Sequence, residues 1–203
     1  MSPLETLGFA LGTSFASGLN LYATVAAAGL FQRLGIVTLP EPLAVLAHPV
    51  VIGVAITLFV VEFIADKIPY VDSAWDAVHT FIRPPAAAIL SYSAFSEGFP
   101  EQWKLAAALL AGSVALTSHG AKASTRAAAN ASPEPLSNWT LSVLEDGFAV
   151  FLAWMAAEHP LLTAVIVVVL VVLSVWVIWT LFGYLRRALA RLRQGPGTSP
   201  AGP

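Results

Sequence analysis

The chain has 203 residues, of which 57% are hydrophobic and only 11% are charged, and its mean hydropathy is +0.76. Because an average soluble domain carries about 25% charged residues, this composition excludes an ordinary soluble fold and predicts an all-α bundle of helices in a lipid bilayer. The absence of cysteine excludes disulfides and thiolate metal sites, and the net charge of −2 gives no indication of a nucleic-acid partner.

A proline-rich loop separates the first two predicted helices. Residues 4–31 form an apolar stretch long enough to span a bilayer, and small and polar side chains predict an interruption near Gly18. No basic run precedes this stretch, so we expect it to stay in the mature protein rather than to be cleaved as a signal peptide. Prolines at positions 40 and 42 end the helix, and Pro49 opens a second one that should end near Ala65.

Residues 66–95 leave the number of spans open. Their first half is polar, an Arg83-Pro84-Pro85 break follows, and the second half is apolar. If this segment crosses the bilayer, the chain has six spans and both termini are cytoplasmic. If it re-enters, five spans place the N-terminus outside, and residues 86–95 would supply about 15 Å of helix, half a bilayer. We favour six spans.

Three more helices are predicted, over residues 103–130, over residues 138–157 and from Pro160 onwards. Residues 161–182 are the most uniformly apolar part of the chain, and four arginines follow them directly: Arg186, Arg187, Arg191 and Arg193. The positive-inside rule therefore predicts a multi-pass inner-membrane protein whose C-terminus is cytoplasmic. Residues 1–193 are expected to form a single membrane domain, and the Gly/Pro/Ser-rich residues 194–203 a disordered tail.

An internal duplication is suggested by a repeated tetrapeptide. Pro40-Glu41-Pro42-Leu43 recurs as Pro133-Glu134-Pro135-Leu136, and upstream of it small residues match at a slightly different offset, as Gly12 matches Gly112. With three helices per half, repeats over residues 4–95 and 101–190 would be inverted relative to each other. Against this, alanine matches are common in an alanine-rich chain, and no identities continue beyond the tetrapeptide.

A stripe of ionisable residues in the polar half of residues 66–95 is the first candidate site. Asp72, Asp76, His79 and Arg83 fall within about 60° of one another on a helix, and a pair one turn apart, Glu62 and Asp66, leads into them. The two aspartates and the histidine could bind a divalent cation, or the stripe could relay protons. The alternative is an amphipathic helix at the membrane surface with its charges in water.

Basic residues on the helix over residues 103–130 form a second candidate site. His119, Lys122 and Arg126 share one face and could bind a phosphate or carboxylate group in a cavity. Because this helix would be about 42 Å long, the same lysine and arginine could instead lie at the cytoplasmic interface. Adjacent carboxylates within an apolar helix, Glu145 and Asp146, need partners, which the basic side chains could supply.

Several runs resemble one known family over residues 7–161. They are Gly18-Leu19-Asn20-Leu21-Tyr22-Ala23-Thr24, Glu62-Phe63-Ile64-Ala65-Asp66-Lys67-Ile68-Pro69, Ser118-His119-Gly120-Ala121-Lys122, Ser132-Pro133-Glu134-Pro135 and Glu145-Asp146. Together they resemble the bacterial membrane proteins grouped as domain of unknown function 4126. The resemblance implies a membrane protein and brings no activity or substrate with it.

The leading hypothesis is a small transporter or flippase-like protein with a polar site at membrane depth between two helical repeats. Its substrate would be a small ion, an anionic small molecule or a lipid headgroup, and a homodimer could enclose the path. The alternatives are an intramembrane enzyme with a divalent cation on Asp72, Asp76 and His79, and a non-catalytic scaffold or partner protein. The candidate substrate- or ion-binding residues are Asn20, Glu62, Asp66, Asp72, Asp76, His79, Arg83, His119, Lys122, Arg126, Glu145 and Asp146.

Overall fold

The computed structural model describes residues 1–130 and 135–193, and within these ranges every regular element is helical. The α-helices are α1 (Pro3–Leu19), α2 (Leu21–Arg33), α3 (Pro49–Ala65), α4 (Pro69–His79), α5 (Arg83–Ala94), α6 (Glu101–Asn130), α7 (Pro135–Glu158) and α8 (Pro160–Arg193), and a 3-10 helix covers Glu41–Ala47. This confirms the predicted all-α class. The predicted disordered tail, residues 194–203, lies outside the described residues.

Charged side chains lie inside the bundle, and large apolar side chains cover its surface. Glu62, Arg83 and Lys122 are at most 2% exposed, whereas Val165, Val172 and Trp179 on α8 are more than 60% exposed. In the part of the chain that the structure describes, two helical segments are long and apolar enough to cross a membrane, Trp139–Glu158 and Pro160–Tyr184, and the 3-10 helix with α3, bent by 66°, is a third candidate. Apolar surface this extensive is what a bilayer covers.

Helix α1 is the central helix, and the chain reverses direction at its end. It packs against α5, α6, α7 and α8. At Asn20 the backbone becomes extended (φ −149°, ψ 104°), and the Asn20 side chain caps α2 by accepting from the backbone N–H of Ala23 at 2.8 Å. Helix α2 then folds back along α1. The reversal is evident from one small cavity, which is lined by Phe9 and Thr13 of α1 together with Thr24 and Ala28 of α2. The predicted interruption near Gly18 is therefore the tip of a helical hairpin.

Small residues let α1 run parallel to α8. A Cβ at Gly8 would lie 2.3 Å from the Pro160 carbonyl oxygen, and one at Gly12 would lie 2.5 Å from Thr163. This Gly-x-x-x-Gly spacing, typical of close helix contacts in membranes, was not recognised in the sequence. The two helices thus begin at the same end of the bundle. Six spans with both termini on one side would require the first and last helices to be antiparallel, and the packing does not fit that prediction.

The break predicted at Arg83-Pro84-Pro85 is present between α4 and α5. Helix α4 ends at His79, and α5 begins at Arg83, with its two prolines in the first turn, where their missing N–H groups would have no helical partner. Helix α5 then returns along α1 and α6. As a result Arg83 enters the bundle beside the hairpin tip.

Candidate functional site

The hairpin tip, Gly18 to Asn20, presents backbone carbonyl groups to two buried cations. The last carbonyls of an α-helix have no donors within the helix, and here the chain leaves the helix at Asn20. Arg83 Nη1 donates to the Gly18 oxygen at 2.8 Å, and Lys122 Nζ donates to the Leu19 oxygen at 3.1 Å. The negative end of the α1 dipole favours both positive charges.

Ion pairs connect these cations to carboxylates on α3, at its C-cap and on α7. Glu62 Oε1 lies 2.5 Å from Arg83 Nη2 and 3.3 Å from Lys122 Nζ, and Lys122 also lies 3.1 Å from Asp66 Oδ2. Arg126 bridges Asp66 at 3.1 Å and Glu145 at 2.8 Å. We call these six residues the ion-pair network; its members are Glu62, Asp66, Arg83, Lys122, Arg126 and Glu145.

The histidines His79 and His119 and the aspartates Asp76 and Asp146 border the network. His119 Nδ1 accepts from Arg83 Nη1 at 2.7 Å, and because arginine can only donate, His119 carries its proton on Nε2 and is neutral. That Nε2 donates towards the Asp76 backbone oxygen at 3.0 Å. On the other side of the tip, Asp146 Oδ1 accepts from Asn20 Nδ2 at 2.8 Å.

The Asp76 carboxylate is buried without a hydrogen bond. The residue is 4% exposed, and among residues 1–130 and 135–193 neither of its carboxylate oxygens has a hydrogen-bond partner and the nearest cation is Arg83 Nη1, 3.9 Å away. One oxygen each of Glu62 and Asp146 is also buried without a partner. A buried carboxylate in this state is destabilising unless it gains a proton or a cation.

Carboxylates outnumber cations among the described side chains of this region. Three basic groups, Arg83, Lys122 and Arg126, are buried, and the half-buried Lys67, which donates to Ser142 Oγ at 3.2 Å, adds a fourth. Six acidic residues lie on the same part of the bundle: Glu62, Asp66, Asp72, Asp76, Glu145 and Asp146. With every carboxylate ionised, the described part of the site is negative.

The described side chains do not form the metal site predicted on Asp72, Asp76 and His79. Within residues 1–130 and 135–193, no three His, Cys, Asp or Glu side chains are grouped so that they could hold a metal ion. His79 Nδ1 lies 2.8 Å from the Trp75 carbonyl oxygen and Nε2 lies 3.0 Å from the Tyr22 hydroxyl, so both ring nitrogens already have partners. A metal ion at Nε2 would have to displace the Tyr22 hydroxyl, whereas the contact of Nδ1 with a backbone carbonyl is compatible with metal binding.

The predicted site residues are buried in one part of the bundle. Eleven of the twelve are at most 6% exposed, and the Glu145 side chain is 13% exposed. This burial is inconsistent with a surface helix that holds the charges of the Asp72–Arg83 stripe in water. The alternative that Lys122 and Arg126 lie at the depth of the cytoplasmic interface stays a prediction. The carbonyl groups of Gly18 and Leu19 and the Tyr22 hydroxyl were missed, because side-chain patterns do not reveal where a helix frees its carbonyls.

Comparison with known proteins gives one match. A family model described as Domain of unknown function (DUF4126) matches residues 7–180. No curated protein and no solved structure matches the chain. The matched range includes the hairpin tip, the whole ion-pair network, the candidate span Trp139–Glu158 and most of Pro160–Tyr184.

Proposed function

We propose, from the premise that this chain belongs to the family described as domain of unknown function (DUF4126), that it is a small membrane transporter for protons or small monovalent cations. The family description names no activity, so the proposal is built from the buried charges. The single observation that carries it is Asp76, a buried carboxylate with no hydrogen-bond partner at the edge of a region with excess negative charge.

The first step of the argument is energetic. A carboxylate removed from water without compensation is destabilised by several kcal/mol, and in practice it binds a proton or a cation instead. The cations of the network already contact Glu62, Asp66 and Glu145. Asp76 meets Arg83 only at 3.9 Å, and neither of its oxygens accepts a hydrogen bond from a described residue, so we assign it as the carboxylate that a mobile proton or cation neutralises.

The second step concerns what surrounds the site. Ionisable residues at membrane depth commonly mark ion pathways, and transporters often place them where a helix is broken. Here the broken element is the α1–α2 hairpin, whose tip is held by Arg83 and Lys122. When Asp76 loses or gains one charge, the electrostatic field at Arg83 changes. Because Arg83 holds the hairpin tip, ion binding at Asp76 would in this way be coupled to movement of the tip.

The third step concerns the charge of the substrate. An anionic substrate, such as the lipid headgroup of a flippase, would have to displace a carboxylate from Lys122 or Arg126, both of which are engaged. A proton or small cation displaces nothing and lowers the excess negative charge. Cation transport is therefore favoured over anion transport or lipid transfer. The duplication of residues 4–95 and 101–190 stays a prediction.

We expect Asp76→Asn to reduce cation or proton flux at least tenfold in proteoliposomes, because the amide cannot exchange a proton or neutralise a cation. Flux would be followed with a pH-sensitive dye inside the vesicles and with sodium- and potassium-sensitive dyes in parallel. The matched control is Glu158→Gln, an exposed carboxylate at the other end of α7, which should keep full flux. Wild-type flux in folded Asp76→Asn would contradict the role of Asp76, and absence of flux from the wild-type protein would favour a non-transporting scaffold.

The helix directions also suggest a topology. Because α1 and α8 are parallel, we propose that the α1–α2 hairpin re-enters and that α3, α4 with α5, α6, α7 and α8 cross, which places the two termini on opposite sides. With the arginines in the C-terminal part of α8 inside, residue 2 lies outside. The inner membrane is the proposed location.

The cysteine-free chain allows a direct test of this topology. We expect Ser2→Cys to react with a membrane-impermeant maleimide in intact cells, and Arg186→Cys to react only after the membrane is opened. Both replaced residues are exposed; Ser2 also caps α1, and loss of that cap should cost no more than about 2 kcal/mol. Labelling of the two cysteines from the same side would restore the six-span arrangement and exclude this topology.

A further inference from the structure

A second polar site lies at the end of the bundle where α1 begins. It is a cleft of about 960 Å³ between the start of α1, the 3-10 helix, the end of α5 and the start of α6. Its volume is within the range of about 300 to 1,000 Å³ that is common for small-molecule sites. Eighteen residues of α6 separate Lys104 in this cleft from Lys122 in the ion-pair network, about 27 Å along the helix. The cleft is therefore separate from the network.

Lys104 is the feature that distinguishes this cleft from an ordinary surface groove. Its side chain is 9% exposed, and its ammonium group makes no hydrogen bond with any residue in the described ranges. The nearest carboxylate oxygen, Glu101 Oε2, lies 3.9 Å away, and the other oxygen of Glu101 accepts from the Tyr92 hydroxyl. Lys104 lines the cleft, and its ammonium group also lies 5.6 Å from the centre of the Tyr92 ring, so an anionic ligand in the cleft would supply the hydrogen bonds that these contacts do not.

The remaining lining of the cleft has the opposite charge. Glu41 and Glu97 line the cleft and are exposed, while Phe95 and Phe99, stacked with ring centroids 4.8 Å apart, form an apolar wall. Two carboxylates would repel a ligand that is only anionic. A ligand that is only cationic would leave the ammonium group of Lys104 without a hydrogen bond from the ligand. The lining is complementary to a molecule that carries both charges.

We propose that this cleft binds a small zwitterion, with its anionic oxygen group on Lys104 and its ammonium group towards Glu41 and Glu97. Such a ligand is either a free amino-acid-like molecule or the headgroup of an ethanolamine lipid, since both join an anionic group to an ammonium group through a short linker. This binding site is independent of the proposed cation transport, because it uses none of the network residues.

Isothermal titration of the full chain in detergent tests the proposal with four probes: glycine, O-phosphoethanolamine, inorganic phosphate and ethylamine. At least one of the two zwitterions should bind about tenfold or more tightly than either single-charge probe, because one hydrogen bond between charged groups is worth about that factor. Lys104→Met should weaken zwitterion binding at least tenfold, and Lys104→Arg should retain most of it. Equal binding of phosphate and of both zwitterions would overturn the proposal.

Glu97→Gln tests the other half of the site and is safe for folding because Glu97 is exposed. It should reduce the preference for the zwitterion over phosphate, so the assay is decisive even if Lys104→Met fails to fold. An unchanged preference in Glu97→Gln with Glu41→Gln would overturn the assignment of the ammonium group. Arg186→Met, at an exposed position beyond the α8 span, is the control and should bind like the wild type.

The source of the ligand follows from the same titration in phosphatidylglycerol nanodiscs. If added phosphatidylethanolamine weakens the binding of O-phosphoethanolamine, the lipid headgroup occupies the cleft. If it has no effect, the ligand is the free zwitterion. Both results support a zwitterion site, and absence of zwitterion binding in detergent and in nanodiscs overturns it.

Discussion

Replacing Arg83 with methionine should lower the free energy of unfolding by about 3 to 5 kcal/mol, the usual range when one partner of a buried ion pair is removed. Arg83 is fully buried and donates to Glu62, to His119 and to the Gly18 carbonyl oxygen. Its loss leaves Glu62 with Lys122 alone and leaves the hairpin tip with one unsatisfied carbonyl. Reversible unfolding in mixed detergent and SDS micelles, followed by circular dichroism, would measure the change.

A second substitution separates charge from packing in this prediction. In Arg83→Met with Glu62→Gln, the buried negative charge is removed together with its partner, so we expect roughly half of the lost stability to return, a coupling of about 1 to 3 kcal/mol. Arg186→Met, an exposed control on α8, should change stability by less than about 0.5 kcal/mol. A double variant as unstable as the sum of its single variants would show that the pair does not act as a unit.

Gly18→Ala should lower the free energy of unfolding by nearly as much, about 3 kcal/mol or more, although it adds only one methyl group. A Cβ at this position would lie 1.8 Å from Ser118 Oγ and 2.4 Å from the Ala115 carbonyl oxygen, so α1 and α6 would have to separate. Overpacking alone costs about 1 to 3 kcal/mol, and the separation also weakens the charged hydrogen bonds from Arg83 and Lys122 to the tip. The same unfolding titration would measure the loss.

The control for this substitution predicts the opposite sign. A Cβ at Gly53, exposed within α3, meets nothing within 4 Å. Gly53→Ala should therefore raise stability by up to about 1 kcal/mol, since alanine loses less conformational entropy than glycine in a helix. Gly18→Ala with Ser118→Gly should recover only part of the loss, because the Ala115 carbonyl still blocks the new methyl group. Wild-type stability of Gly18→Ala would refute the close packing of α1 on α6.

Helix positions were largely predictable, because prolines and polar residues act on the local backbone. Pro49 and Ala65 bound α3 as predicted, and α8 begins at Pro160. The polar residues near Gly18 correctly indicated a break. The direction of the chain after that break was not predictable, since hydropathy is the same whether α2 continues α1 or folds back along it.

The sequence predicted which residues form the site. It did not predict which of their side chains pair with each other. Each stripe contained charges at helical spacing, and such spacing shows which residues share a face. The spacing does not show which helix faces pack against each other. The pairing of Arg126 with Glu145 was among the options, whereas the pairing of Asp146 with Asn20 was not considered. The metal site on Asp72, Asp76 and His79 stays a prediction: the described side chains are not grouped around a metal position, and Tyr22 and the Trp75 carbonyl oxygen contact His79.

By itself, the sequence determined that this protein is all-helical, where most helices begin and end, and which polar residues needed an interior. Those properties depend on composition and on neighbours within a few positions along the chain. The tertiary structure alone decided that α1 is parallel to α8, that the hairpin tip meets Arg83 and Lys122, and that Asp76 has no hydrogen-bond partner. These depend on contacts between distant segments, where sub-ångström differences in packing and the desolvation of charge select one arrangement among many that share the same local pattern.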